Sequence, residues 1–150
     1  NLRGFTEQIK NFCSKSEHQR AYIICADLDH LKEINDTWGH PAGNFALRSV
    51  ANIFNGCLRS QDVVARTGGD EFLILLNCQE KNFQDIFRKR VRDACAAFNA
   101  ESGKPFLVEV SLGITEFKPS PETDIPAIIE HADKDLYESK KLRKNSVRRP

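Results

Sequence analysis

Apolar residues recur at intervals of three and four positions in four stretches of the chain, a spacing that predicts amphipathic helices with one buried face. The four stretches cover residues 2–12, 47–58, 83–98 and 128–137. We expect the first helix to end near residues 14–16, the second to begin at Asn44 as its N-cap, and the last to follow Pro126. The polar segment 29–43 predicts a loop, a short helix and a turn.

Short apolar runs that contain β-branched and aromatic residues lie between these helices and predict strands. They cover residues 21–27, 63–64, 72–76 and 106–117. Gly68 and Gly69 separate the second run from the third, which predicts a β-hairpin whose tight turn uses positive φ angles at the two glycines. Gly113 interrupts the last run and indicates a bulge or a close approach of another element. Helices combined with a hairpin-containing sheet are typical of an α+β sandwich.

Composition and charge limit the class of protein. A chain of 150 residues suits a single core, and 40% hydrophobic with 29% charged residues excludes disordered and low-complexity chains. The formal net charge is +1, so no overall field attracts a polyanion and we expect no nucleic-acid partner. The chain begins at Asn1 within an amphipathic stretch and contains no methionine. We therefore expect residues 1–150 to be one domain of a longer protein, truncated at its N-terminus.

The five cysteines form neither a disulfide framework nor a CxxC zinc pattern. We expect them to be small buried side chains in a protein of the reducing cytoplasm. Apolar runs stay under ten residues, whereas about 20 are needed to cross a bilayer. No membrane contact is therefore expected for this part of the chain.

Three carboxylates are predicted to meet where strands end. Asp27 ends the first apolar run, and Asp70 and Glu71 follow the glycines of the predicted hairpin. Neighbouring carboxylates repel one another unless they share a proton or bind a cation, and hard oxygen ligands favour Mg²⁺ or Mn²⁺. The pattern therefore predicts a divalent metal site, and magnesium sites commonly include substrate phosphates.

Three lysines are candidates for neutralising such a phosphate. Lys32 lies five positions after Asp27, and Lys140 and Lys144 lie on the predicted last helix. An ammonium group binds phosphate as a compact point charge. The chain contains no GxxxxGK[ST] motif, which excludes a P-loop.

Several segments together resemble one family. Residues 68–72 read GGDEF, a string expected by chance at about one position in 10⁷ at average residue usage. Residues 27–36 match D-x-D-x-[FL]-K-x-[IV]-N-D, 39–44 resemble GHxxGD, 111–114 contain SxG, and 132–145 resemble AD-x-x-LYxAKxxGRN. On these motifs the chain resembles the GGDEF domains, or diguanylate cyclases, over nearly its whole length.

The resemblance implies a palm-like, ferredoxin-like sandwich with a mainly antiparallel sheet flanked by helices, similar to the catalytic domains of class III nucleotidyl cyclases. It also implies the condensation of two GTP molecules into cyclic di-GMP with release of pyrophosphate, dependent on Mg²⁺ or Mn²⁺. Each domain would bind one GTP, so catalysis would require a homodimer in which two domains face each other.

The resemblance also assigns residues to roles. Metal binding would belong to Asp27, the Leu28 carbonyl, Asp70 and Glu71, and catalysis to Asp70, Glu71 and Lys32. The nucleotide would be bound by His30, Leu31, Lys32, Asn35, Asn44, Gly68, Gly69, Lys140 and Lys144. Within this set, segment 30–32 would contact phosphates, the two asparagines the guanine, and the two C-terminal lysines the γ-phosphate.

Arg59 and Asp62 form an RxxD pattern shortly before the GGDEF segment. In the family this position is an inhibitory site for the product, cyclic di-GMP. An arginine fork binds phosphate through two parallel hydrogen bonds, and an aspartate could orient it. The alternative interpretation is an ordinary surface ion pair.

Two departures from the family pattern are visible. Asn44 stands where the family has aspartate, and residues 143–145 read RKN in place of GRN. The first departure leaves base selection open, because aspartate only accepts hydrogen bonds whereas asparagine also donates them. Two alternatives therefore stand beside an active GTP-specific cyclase. One is a catalytically silent module that binds GTP or cyclic di-GMP and relays a signal, and the other is a cyclase that accepts both GTP and ATP.

Overall fold

Among the described residues, four strands form one sheet and five helices cover its faces. The structure is a computed structural model that describes residues 1–15 and 19–147, with side chains described up to residue 142. The elements are α1 (Leu2–Cys13), β1 (Ala21–Leu28), α2 (Leu31–Trp38), α3 (His40–Cys57), β2 (Val63–Arg66), β3 (Glu71–Leu76), α4 (Phe83–Ser102), β4 (Val110–Phe117) and α5 (Ile125–Val147). The strand order is β2-β3-β1-β4, and each neighbouring pair is antiparallel. The predicted α+β sandwich is confirmed.

β1 lies inside the sheet, and its side chains alternate between two cores. Tyr22, Ile24 and Ala26 pack on one face with apolar residues of α3 and α4. Ile23 and Cys25 pack on the other face with residues of α1 and α5. Because both faces of this strand are covered by helices, its sequence is a continuous apolar run rather than an alternating one.

The register of β1 brings acidic residues from two strands together. Asp27 pairs with Glu71 of β3. The amide of Leu28 donates to the Asp70 carbonyl (3.0 Å), and the amide of Thr67 donates to the Glu71 carbonyl (3.0 Å). The first bond joins the hairpin tip to the end of β1, and the second closes the turn between β2 and β3.

α5 crosses β4 at very close range. A Cβ atom built on Gly113 would lie 2.0 Å from the Ala132 carbonyl oxygen and 2.3 Å from the Leu136 nitrogen, both backbone atoms of α5. Asp135 of the same helix accepts a hydrogen bond from the Ile114 amide (2.9 Å). The close approach predicted at Gly113 is confirmed, and it determines where α5 lies on the sheet.

The predicted N-cap of α3 is wrong. The helix begins at His40, with Gly39 as its N-cap at φ 89° and Pro41 in its first turn. Proline suits this place because the first-turn amides of a helix have no intrahelical acceptor. Asn44 therefore lies within the helix, where its side chain is exposed.

The predicted last strand is too long at its start, since β4 begins at Val110 rather than at residue 106. Asn99 of α4 donates from Nδ2 to the Val108 carbonyl (2.9 Å) and accepts at Oδ1 from the Val108 amide (2.8 Å). A side chain thus uses the backbone groups that a strand ladder would need. Phe106 and Val108 are nevertheless buried, which explains the apolar pattern.

The predicted turn geometry of the hairpin is also wrong, because neither Gly68 nor Gly69 has a positive φ angle. The Arg66 guanidinium instead donates to the carbonyls of Gly68 (3.2 Å) and Gly69 (2.8 Å). A Cβ on Gly68 would lie 3.0 Å from Glu71 Oε2. This glycine therefore provides room for a carboxylate beside the turn.

All five cysteines are buried and free, which confirms that they are small buried side chains. Burial raises the pKa of Cys25 to about 12 and that of Cys95 to about 11, so these two thiols stay protonated at neutral pH. None of the helices within the described ranges has the length and apolar character needed to cross a bilayer.

Candidate active site

Asp27, Asp70 and Glu71 come together at one edge of the sheet. Their carboxylate oxygens lie within 4.8 Å of one another, with Asp27 and Asp70 partly buried and Glu71 exposed. The end of β1 carries Asp27, and the hairpin carries the other two. A cluster of carboxylate oxygens is the donor set that Mg²⁺ and Mn²⁺ prefer. The structure thus assembles the three predicted metal ligands, and their binding of a metal stays a prediction.

Negative charge in this cluster is unfavourable. Burial raises the pKa of Asp27, the hydrogen bond and charge of Lys140 oppose this rise, and Asp70 adds to it. Burial also raises the pKa of Glu71, and the charges of Asp27 and Asp70 contribute in the same direction. A bound divalent cation would relieve both effects, because it favours the ionised carboxylates.

Lys140 of α5 places a positive charge next to the acidic cluster. Its Nζ donates to Asp27 Oδ2, and the side chains of Lys140 and Asp27 are 37% and 14% exposed. An ammonium group beside Asp27 shows that this position accepts a cation, so the residues present fit a divalent metal ion. Lys144 belongs to the same helix, but its side chain lies outside the described residues.

The predicted phosphate-binding segment forms the start of α2. His30 is the N-cap, with φ 62°, and its carbonyl accepts from the Ile34 amide (3.0 Å). Leu31 and Lys32 follow in the first turn, and Lys32 is exposed. The first amides of a helix lack intrahelical acceptors and carry partial positive charge, which suits phosphate oxygens.

Asn35 of α2 packs directly against α3. A Cβ on Gly43 would lie 1.8 Å from Asn35 Oδ1 and 3.1 Å from Leu31 Cδ1. Gly43 therefore allows the two helices to approach and leaves space for the Asn35 amide. The close packing of α2 on α3 therefore explains why the GHxxG segment has glycine at position 43.

A cavity of about 290 Å³ lies between α3 and the β2-β3 hairpin. Its polar lining consists of Asn44, Arg48, Asn55 and Arg66, and the described lining contains no acidic residue. Small-molecule sites in proteins combine an apolar wall with a few polar groups of this kind. The structure thus places Asn44 at a cavity next to the hairpin, while its contact with a base stays a prediction.

Sequence reasoning missed two residues near the cluster. Arg66 holds the hairpin carbonyls, and its position just before the glycines could have indicated this. Asp133 of α5 lines a cavity of about 380 Å³ together with Asp27 and Glu71, and its charge contributes to the raised pKa of Glu71. Asp133 is the aspartate of the AD-x-x-LY segment, but the motif assigned it no role at the cluster, because only the docking of α5 brings it there.

Arg59 and Asp62 lie at the other end of the hairpin strands from Asp70. Asp62 is only 3% exposed, and it accepts hydrogen bonds from the amides of Arg59 (2.9 Å) and Asn77 (2.9 Å). The Arg59 side chain is 52% exposed, and its Nη2 donates to the Asn77 carbonyl (3.2 Å). Asp62 therefore builds the turn, and the exposed guanidinium of Arg59 is the group that faces solvent.

Comparison of the chain with models of known protein families identifies its family. The family model described as diguanylate cyclase, GGDEF domain, matches residues 1–146. The hairpin with its acidic cluster, α2 and all of α5 except its last residue lie within this range. The chain therefore belongs to the GGDEF family.

Curated relatives are full-length proteins in which this domain is one part. Diguanylate cyclase A of Treponema denticola is 37% identical over 126 residues, which cover 83% of this chain and 34% of that protein. Diguanylate cyclase DgcP of Pseudomonas aeruginosa is 37% identical over 144 residues, which cover 94% of this chain and 21% of that protein. The chain thus spans about a fifth to a third of the length of these relatives.

Solved structures share the fold. Diguanylate cyclase SiaD of Pseudomonas aeruginosa, in complex with its activator SiaC, gives a TM-score of 0.79 at 30% identity, covering 93% of this chain and 54% of that one. The GGDEF domain of DgcB from Caulobacter crescentus, in complex with c-di-GMP, gives 0.76 at 26% identity, covering 93% of this chain and 84% of that one. The palm-like antiparallel sheet flanked by helices is confirmed as the fold of this chain.

Proposed function

We propose that this domain condenses two GTP molecules into cyclic di-GMP. The observation that carries the proposal is the cluster of Asp27, Asp70 and Glu71, whose oxygens lie within 4.8 Å of one another beside Lys140. The family is that of the diguanylate cyclases, and DgcB, one of the structures similar to this chain, is in complex with c-di-GMP. An intact acidic cluster favours an enzyme over a silent binding module.

The residues of the cluster would hold Mg²⁺ or Mn²⁺, with the Leu28 carbonyl as a further ligand. When bound, the metal would stabilise the triphosphate and lower the pKa of the attacking 3′-hydroxyl. Lys32 and the first amides of α2 would bind phosphate oxygens, and Lys140 and Lys144 would bind the γ-phosphate. Asn35 and Asn44 would contact the guanine, with Gly68 and Gly69 forming the adjacent hairpin surface.

The reaction joins two GTP molecules and therefore needs two nucleotide sites. The 3′-hydroxyl of each GTP loses its proton to solvent as its oxygen forms a bond to the α-phosphorus of the other, the bond from that phosphorus to the oxygen that bridges it to the β-phosphate breaks, and one pyrophosphate leaves at each step. The described residues bring together one acidic cluster, so one domain would bind one GTP. We therefore propose a homodimer in which two such sites face each other.

The function is tested by incubating the purified chain with GTP and Mg²⁺ and identifying products by mass spectrometry. Cyclic di-GMP and two pyrophosphates per product are expected, with no product in the presence of EDTA. A rate that rises with the square of protein concentration at low concentration would support the dimer. Tight GTP binding without any product would instead support the silent module.

Arg59→Ala is expected to weaken product inhibition and leave the initial rate unchanged. A charged hydrogen bond contributes about 1.5–3 kcal/mol, so the inhibition constant for cyclic di-GMP should rise roughly tenfold or more. Arginine is the residue to replace, because Asp62 is buried and supports the turn. Initial rates with added cyclic di-GMP measure the effect, and Arg3→Ala, an exposed arginine on α1, is the control. If cyclic di-GMP inhibits the parent, Arg59→Ala and Arg3→Ala equally, Arg59 is not part of an inhibitory product site.

Asn44→Asp is expected to increase the preference for GTP over ATP. Aspartate accepts hydrogen bonds from both guanine N1–H and N2–H, whereas asparagine can also pair with adenine. The additional charged bond corresponds to about 1–1.5 kcal/mol, or roughly a tenfold change in the ratio of kcat/KM values. Competition between the two nucleotides measures this ratio. Asn52→Asp, which adds the same charge at an exposed position of α3, is the control, and an unchanged ratio in Asn44→Asp would show that residue 44 does not contact the base.

A further inference from the structure

Lys140 and a divalent cation require the same carboxylate. The Lys140 Nζ donates to Asp27 Oδ2, and Asp27 belongs to the cluster whose oxygens lie within 4.8 Å of one another. The Asp27 side chain is only 14% exposed. The ammonium group therefore already pairs with one carboxylate of the set that would bind the metal ion.

The Lys140 ammonium group and a divalent metal ion cannot both bind Asp27 strongly. Like charges a few ångströms apart at a partly buried site repel strongly. Mg²⁺ also requires near-octahedral coordination by oxygens at about 2.0–2.1 Å, which leaves little freedom to accommodate an ammonium group on the same carboxylate. Metal binding therefore requires that Lys140 withdraw from Asp27 or that the metal bind weakly.

The part of the protein able to move is the lysine side chain. The backbone of α5 is held one and two turns earlier, where Leu136 and Ala132 contact Gly113 so closely that a single Cβ would not fit. The Lys140 side chain is 37% exposed, and its ammonium group lies at the end of a flexible four-carbon stem. It can therefore leave Asp27 without any movement of the helix.

We propose that Lys140 exchanges partners during substrate binding, from the Asp27 carboxylate to the triphosphate of the incoming nucleotide. The metal takes the place that the ammonium leaves at Asp27. Free metal ions then bind weakly, because they must displace Lys140 without offering it a new partner, whereas the metal and the nucleotide bind together well. This inference rests on the proposed function, and it makes metal binding at this site dependent on the nucleotide.

The first test measures Mn²⁺ binding without nucleotide, by the electron paramagnetic resonance signal of free Mn²⁺. Lys140→Gln is expected to bind Mn²⁺ about tenfold more tightly than the parent, and Lys140→Arg to resemble the parent because it keeps the charge. Lys141→Gln is the matched control, since it removes the same charge from the next position, where the ammonium lies 5.8 Å from the Tyr137 ring centroid. Mn²⁺ affinity equal to or weaker than the parent's in Lys140→Gln would overturn the proposal.

The second test measures coupling between Mn²⁺ and nucleotide binding, and its main comparison uses the parent protein alone. In the parent protein, a GTP analogue with a methylene group between the α- and β-phosphates should tighten Mn²⁺ binding at least tenfold, and this gain should fall in Lys140→Gln. No gain in the parent would also overturn the proposal. If Mn²⁺ and the analogue bind independently while GTP is still converted to cyclic di-GMP, the exchange is wrong and the proposed function stands. If the parent binds no Mn²⁺ with or without the analogue, both the partner exchange of Lys140 and the proposed function are wrong.

Discussion

Replacing Asp70 with alanine is expected to lower kcat/KM for GTP by at least about 10³-fold. Metal ions contribute several kcal/mol of transition-state stabilisation, and about 4 kcal/mol corresponds to this factor. Asp70 lies at the hairpin tip with its carboxylate oxygen near those of Asp27 and Glu71. Its side chain belongs to neither of the two apolar cores. The loss should therefore be one of chemistry and metal binding rather than of folding.

Three measurements separate these effects for Asp70→Ala. Initial rates report turnover, Mn²⁺ titration reports metal affinity, and a thermal melt reports folding. The melting temperature should change by no more than about 2 °C, as for a substitution worth about 0.5 kcal/mol. Asp36→Ala, an exposed acid on α2, should leave all three near the parent values. A large fall in melting temperature or a loss of cooperativity in Asp70→Ala would show that this carboxylate is structural.

Replacing Gly113 with alanine is expected to destabilise the domain, because the added methyl group has no space between β4 and α5. The new Cβ would lie 2.0 Å from the Ala132 oxygen and 2.3 Å from the Leu136 nitrogen, so either α5 or β4 must shift. Overpacking of this kind costs about 1–3 kcal/mol, which lowers the melting temperature by roughly 2–12 °C at this chain length. The shift of α5 should also move Lys140 away from Asp27 and raise KM for GTP.

A matched glycine tests this interpretation of Gly113→Ala. Gly56 lies near the end of α3, and nothing lies within 4 Å of a Cβ built there. Gly56→Ala should be neutral or stabilising by about 0.5–1 kcal/mol, because alanine favours the helix. Equal melting temperatures for the two variants would contradict the close packing of α5 on β4.

The element types and the family were predictable from local sequence. Helical and strand periodicities depend on neighbouring residues, so α1, α4, α5 and β1 are readable without a structure. The GGDEF segment and the end of the first apolar run likewise identify Asp27, Asp70 and Glu71 as neighbours. An antiparallel hairpin beside a central strand brings such strand ends together.

Local rules failed where a side chain binds backbone groups that a regular strand or turn would use. Asn99 binds both backbone groups of Val108, so β4 begins later in the chain than the apolar pattern predicts. Arg66 supports the hairpin turn without the positive φ angles expected at its glycines. In both cases the competing partner is a side chain, and side-chain hydrogen bonds leave no periodic pattern in the sequence.

The sequence alone determined the order of helices and strands, the acidic residues at the strand ends and membership of the family. Only the tertiary structure decided that Lys140 contacts Asp27 across 113 positions of chain, that Asp62 is a buried support of its turn, and that Asn44 lines a cavity. The physical reason is the separation along the chain of the residues that interact. Periodicity and motifs act between neighbours along the chain, whereas these contacts depend on how α5, α3 and the hairpin pack on the sheet, which at Gly113 depends on the absence of a single methyl group.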